Sequence, residues 1–289
     1  MGIGETLLLG FIAGVTILIG MPLGRMHRPS EALRVSLNAL AVGILLFLVW
    51  DVLSAAWEPI DEGLAAHHET GAGLGSTFGY GVLFALGLTV GLLGLQQYEA
   101  WMGRRVRRAR AQSFGPGAMA SHELTHRGMA GWSPAKQLAF LIAVGIGLHN
   151  FAEGLAIGQA AASSEIALAT LLVIGFALHN ATEGFGIVAP LAADTAENPA
   201  ARPSWGLLLV FAAIGGGPTF IGTAVGHAFT SEPLSVIFLT LAAGSIIYVI
   251  VQLLAIAGRS TRKDLIYAGV LIGLLAGFLT DAIVTAAGV

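Results

Sequence analysis

The stretches LHNFAEGLAIG (Leu148–Gly158) and LHNATEGFGIV (Leu178–Val188) decide how this chain is read. Each spells His-Asn-x-x-Glu-Gly inside a long apolar run, and the second copy follows the first by thirty residues. Polar groups are most costly in such runs, so their duplication needs a physical reason.

The surroundings identify the solvent. The chain has 289 residues, is 55% hydrophobic and only 11% charged, and has a mean hydropathy of +0.80. Soluble domains carry about 25% charged residues, so the composition is that of a polytopic membrane protein. The 40 glycines suit close helix packing in lipid. There are no cysteines, which excludes disulfides and thiolate metal sites. Residues 1–24 lack a basic leader region and a small-residue cleavage site, so no cleavable signal is expected.

A spanning helix needs about 20 mostly apolar residues. Eight such spans are expected, over 4–24, 33–57, 75–98, 138–161, 166–190, 205–229, 234–257 and 264–287. The charges orient them. All 14 Lys and Arg residues fall in the connections between spans 1 and 2, 3 and 4, 5 and 6, and 7 and 8, or at the adjoining span ends. By the positive-inside rule those connections are cytoplasmic and both termini lie outside. The expectation is an all-α protein with a single transmembrane domain over 1–289. A flexible, Arg-, Gly- and Pro-rich cytoplasmic loop is expected over 103–135. Its arginines set topology and could touch anionic lipid.

His149 and His179 fall mid-way along spans four and five, which a short turn near Ser163 and Ser164 makes antiparallel neighbours. Residues whose numbers sum to about 328 then share a depth, which places the two histidines opposite each other. Glu153 and Glu183 lie one turn on, displaced in opposite directions, an offset of about 12 Å for straight helices. Side chains lean toward a helix N-terminus, which brings both carboxylates back toward the histidine level. Gly154, Gly158, Gly184 and Gly186 permit kinks that would help.

An unpaired carboxylate at the bilayer centre costs about 2.5–3.5 kcal/mol on insertion scales, and no Lys or Arg is expected at that depth. Protons or a cation must compensate. Two imidazoles and two carboxylates offer nitrogen and oxygen ligands with net charge −2, a match for a divalent first-row ion. Mg²⁺ and Ca²⁺ prefer all-oxygen shells. Asn150 and Asn180 stand ready as oxygen ligands or as hydrogen-bond partners of the ligands. The competing reading is a hydrogen-bonded seam of two histidines and two protonated glutamates.

HNFAEG (149–154) and HNATEG (179–184) resemble the motifs of the ZIP (Zrt-, Irt-like protein) family of metal transporters, HNxPEG on span four and a related motif on span five. The resemblance implies eight spans in a 3+2+3 bundle, outside termini and a variable loop after span three. It implies uptake of Zn²⁺, Fe²⁺, Mn²⁺ or similar ions such as Cd²⁺, and a homodimer. By motif, His149, Glu153, His179 and Glu183 would hold the primary ion, and Asn150 and Asn180 a second, with the glutamates bridging. Three departures bear on that second ion. Ala152 and Thr182 replace the motif prolines, Gly217 stands before Pro218 where many members carry Glu, and Gln252 replaces a span-seven His. A mononuclear site is therefore expected.

Other residues complete the expectations. Asp51, near the outer end of span two, is a candidate entrance group. The connection carrying Glu58, Asp61, Glu62, His67, His68 and Glu69 could concentrate cations. His122 and His126 are one turn apart if helical, and Gly215–Pro218 should break span six. Glu5 and Asp281 should face water, and His227 is read as structural. The function expected is transport of a divalent transition metal, zinc foremost, across the cell membrane and probed by Glu153→Ala and Glu183→Ala. Beyond the cargo ion and the bilayer, no prosthetic group and no nucleic acid is called for. Two alternatives are a proton-coupled transporter using the His/Glu set as a relay, and an intramembrane zinc hydrolase. The latter lacks the HExxH spacing and a nucleophile beside a histidine, so the chain is not read as an enzyme.

Overall fold

A computed structural model describes residues 1–25, 30–71, 74–112, 132–197, 199–258 and 260–286. His122 and His126 lie outside the described residues. Eight helices are long and apolar enough to cross a membrane, and there is no strand among the described residues. The first spans Ile3–Arg25 and begins with α1 (Ile3–Val15); the others lie in α2 (Glu31–Thr70), α3 (Leu74–Gln112), α4 (Pro134–Ala162), α5 (Ile166–Glu197), α6 (Trp205–His227), α7 (Glu232–Ala257) and α8 (Lys263–Ala286). Two 3₁₀ turns, Thr16–Ile19 and Met21–Arg25, prolong α1.

Local chemistry sets the helix ends more than hydropathy does. Ser30, Ser133 and Ser204 are N-caps whose side chains accept the N–H of Leu33, Lys136 and Leu207. Pro134 occupies the first turn of α4, where its missing N–H costs nothing. α2 ends at Gly71, whose left-handed φ of 71° lets its N–H reach His67 O at 2.8 Å. Accordingly α2 continues 13 residues past the expected span end at 57. α3 is helical to Gln112, into the stretch 103–135 read as a loop.

Two further expectations are corrected. α6 is one continuous helix through Gly215–Pro218, with no break. Pro218 leaves Ile214 O without its usual donor, and the neighbouring helix covers that carbonyl where Gly147 packs directly on it. α4 and α5 also run unbroken past Gly154, Gly158, Gly184 and Gly186. Three of these glycines instead serve close approach. A Cβ on Gly154 would strike Thr219 O, one on Gly158 would strike Thr223 O, and one on Gly184 would strike Ile17 O.

The helices sort into two bundles. α4 lies along α6, and α1 packs on α6 and α5. α2 packs along α8 and α7, and α3 along α7. Exchanging α1–α3 with α6–α8 and α4 with α5 maps these pairings onto one another, as a 3+2+3 arrangement with a pseudo-two-fold axis requires. Backbone-to-backbone glycine contacts lie inside each bundle: Gly154 with Gly222, Gly43 with Gly273, Gly91 with Gly244. The seam between bundles is built of side chains. Leu45, Leu48 and Val52 of α2 and Leu239 and Ile246 of α7 share one core with Ala156 and Ala160 of α4 and Leu172 and Phe176 of α5.

Candidate metal site

His149 and Glu153 lie on α4, and His179 and Glu183 on α5, all buried. The residue before each histidine shows how sharply the helices divide. Leu148 and Leu178 are each 46% exposed, while His149 and His179 are at most 1% exposed. The antiparallel α4–α5 pair sets the two imidazoles against each other, with ring centroids 6.3 Å apart and planes inclined by 23°.

The four side chains cross between helices. His149 Nε2 is 2.8 Å from Glu183 Oε1, and His179 Nε2 is 3.2 Å from Glu153 Oε1. The same-helix distances are longer, 4.0 Å for His149 to Glu153 and 3.8 Å for His179 to Glu183. The axial offset of the glutamates therefore does not keep them apart, although both helices are unbroken. Side-chain lean toward each N-terminus supplies the convergence. His149, His179 and Glu183 each present one ligand atom within 4.8 Å of the other two.

The electrostatics of this cluster are unresolved by protein alone. Both carboxylate oxygens of Glu153 and Glu183, and Nε2 of each histidine, are buried without a geometrically sound hydrogen bond. Among the described residues, no Lys or Arg pairs with either glutamate. One histidine is held by its other nitrogen: His179 Nδ1 lies 3.3 Å from Gly175 O. An Nδ1–H donating to that carbonyl leaves the Nε2 lone pair facing the glutamates, the tautomer a metal ligand needs. Phe176 closes one side with an edge-on contact to His179 at 5.7 Å.

The asparagines have a defined orientation. Asn150 Nδ2 donates to Gly215 O of α6, and Asn180 Nδ2 donates to Ala13 O of α1, both at 2.9 Å. Their Oδ1 atoms are buried and unpartnered. The two tethers are related by the same exchange of helices as the fold. Sequence reasoning saw the pair of asparagines but not their anchors, which are backbone carbonyls with no side-chain signature.

Asp51 lies elsewhere. It lines a cavity of about 900 Å³ at the end of the molecule bearing the α4–α5 turn, with Glu58, Glu62, Glu165, Glu232 and Asp281. Ser163, in the expected turn, lines it too, with Gln159 and Ser235, which the sequence did not single out. At Glu165, in the turn itself, burial first and then the neighbouring Glu58 push the carboxyl above the ordinary glutamate range. Gln252, on α7, has its amide engaged within its own bundle. Its amide donates to Glu99 at 2.7 Å and to Tyr248 OH at 3.3 Å, an α3–α7 tie within one bundle.

A search of the curated proteins found no match. The sequence profile of the family described as ZIP Zinc transporter matches residues 105–285, well over half of the chain, and takes in all of α4 to α7, both HNxxEG motifs included. The buried histidines and glutamates thus sit within the matched region, and the chain belongs to the ZIP zinc transporter family.

Proposed function

We propose that this protein carries divalent transition-metal ions, zinc foremost, across the cell membrane through a site formed by His149, Glu153, His179 and Glu183. Family membership supports divalent metal transport. The observation that carries the site is the crossed His/Glu pairing, buried on both helices, with no Lys or Arg paired to either glutamate among the described residues. Two imidazole nitrogens and carboxylate oxygens suit Zn²⁺, with Fe²⁺, Mn²⁺ and Cd²⁺ as weaker fits. The site takes one ion. Asn150 and Asn180 orient the cluster through their tethers, and no carboxylate on α6 precedes Pro218 to complete a second ion.

Net flux is inward, with both termini outside and the Arg-rich connection after α3 in the cytoplasm, as the distribution of Lys and Arg supports. The acidic cavity with Asp51 then faces outside and draws cations toward the path. The protein works as a homodimer.

Uptake of Zn²⁺ into proteoliposomes, read by an internal zinc-sensitive dye, tests the reading. Uptake is expected in the intact protein and should fall at least about tenfold in Glu153→Ala and in Glu183→Ala. Anomalous scattering after separate soaks with Zn²⁺ and Cd²⁺ should show one ion among the four side chains. Normal uptake in both variants, or no bound ion, leaves the proton relay as the better account of the cluster.

A further inference from the structure

The deepest wall of the acidic cavity is made by Leu171, Leu239 and Gln159, which are 4%, 2% and 1% exposed. Gln159 lies six residues beyond Glu153 on α4, about 9 Å along the helix axis. This wall therefore stands between the cavity and the His/Glu cluster.

Gln159 is the polar member of that wall, and its bonds cross the molecule. Its Oε1 accepts from Ser235 Oγ at 3.0 Å, and its amide donates to Ser163 Oγ at 2.9 Å. Ser235 is on α7, so the first bond joins one bundle to the other beside the apolar core that the two bundles share. Its neighbours on α4, Ala156, Gly158 and Ala160, are small and buried, and the amide ties both to the C-cap of its own helix and to α7.

We infer that the Gln159–Ser235 hydrogen bond is the latch closing the path between the acidic cavity and the His/Glu site, and that it opens for each ion and re-forms behind it. The inference rests on the transport reading above. A bond between two neutral groups suits the task, because its net strength is small enough to break and re-form at each turnover. Charged partners would carry a desolvation penalty when closed and leave buried charge unpaired when open. When open, the Gln159 carbonyl and the hydroxyls of Ser163 and Ser235 face the passage and can replace water on the incoming cation.

The absence of cysteine makes a direct test possible. Leu239→Cys places a single thiol one turn below Ser235 at the closed wall. Its reaction with a membrane-impermeant thiosulfonate is followed in membrane vesicles of both orientations. With Gln159→Ala or Ser235→Ala added, the labelling rate from the cavity face should rise about threefold to tenfold, the effect of removing one such bond. Ser235→Thr keeps the hydroxyl and should return the rate to that of Leu239→Cys alone. Unchanged labelling in both alanine variants, or a rise in Ser235→Thr as large as in Ser235→Ala, overturns the latch. Monodispersity on gel filtration is required of each variant, and Ser235→Ala removes a single oxygen. Labelling needs no metal. Loss of the latch and loss of the zinc reading are therefore separate results, the second read from uptake by the unsubstituted protein.

Discussion

His149 and His179 face each other with two glutamates crossed between them. With neutral imidazoles the four groups carry two negative charges, and either two protons or one divalent ion restores neutrality. Metal and protons thus compete for the same lone pairs. Zn²⁺ affinity measured by calorimetry should fall with acidification once the imidazoles protonate, approaching about a hundredfold per pH unit when two protons are displaced. A pH-independent affinity between pH 7 and 5 would contradict the shared-ligand geometry. Asn180→Ala, which frees Ala13 O and loosens α5 from α1, should weaken Zn²⁺ binding about 10–100-fold without touching a ligand. That His149, Glu153, His179 and Glu183 come together was legible from the duplicated motif and a depth count. Their crossed partnership was only partly legible, because it depends on side-chain lean at a distance of one turn. Gln159 was not legible at all: a lone amide among alanines carries no spacing signal, and its meaning lies in Ser235, 76 residues away.

At the scale of helices, the apolar runs located all eight spans, but hydropathy misjudged where helix stops. α2 and α3 extend beyond the lipid-like segments because helix needs backbone hydrogen bonds and tolerable side chains, not apolar ones. Glycine was misjudged in kind. Three of the four residues read as kink points, Gly154, Gly158 and Gly184, are contact points, where a neighbouring backbone takes the place of the absent side chain. Gly154 meets Thr219 O and Gly222 across the α4–α6 contact. Gly154→Val should therefore destabilise the protein by about 1–3 kcal/mol or more, through overpacking against backbone that cannot rotate away. The measurement is the thermal midpoint in detergent, and Gly186→Ala, whose added Cβ would meet nothing beyond its own stretch of helix, is the control expected to change little.

Across the described residues, glycine backbone contacts weld each bundle internally, while apolar side chains from both bundles share the core at the seam. A cross-link over the seam should then do what one inside a bundle does not. Leu48 of α2 reaches over Gly175 of α5. Oxidising a Leu48→Cys/Gly175→Cys pair should stop uptake, with recovery on reduction. The cavity above the seam carries a cost of its own. The raised pKa of Glu165 means that ionisation is disfavoured in the folded state. That penalty is fully present at neutral pH and vanishes below the unfolded-state pKa, where the carboxyl is protonated in both states. Glu165→Gln should raise the thermal midpoint at pH 7 and leave it unchanged at pH 4. Retention of an unfavourable charge fits a wall that meets cations.

The first membrane segment is wound unevenly, α-helical over Ile3–Val15 and 3₁₀ over Thr16–Ile19 and Met21–Arg25. A 3₁₀ residue advances about 2.0 Å against 1.5 Å in an α-helix, so nine of them lengthen the segment by about 4–5 Å. The change of winding begins just past Ala13, whose carbonyl accepts Asn180 and the Thr16 hydroxyl. A change of winding here would move the carbonyl that anchors Asn180. Shorter acyl chains would favour rewinding the segment, drawing the Ala13 carbonyl away from Asn180, and zinc uptake should decline as the host lipid is thinned.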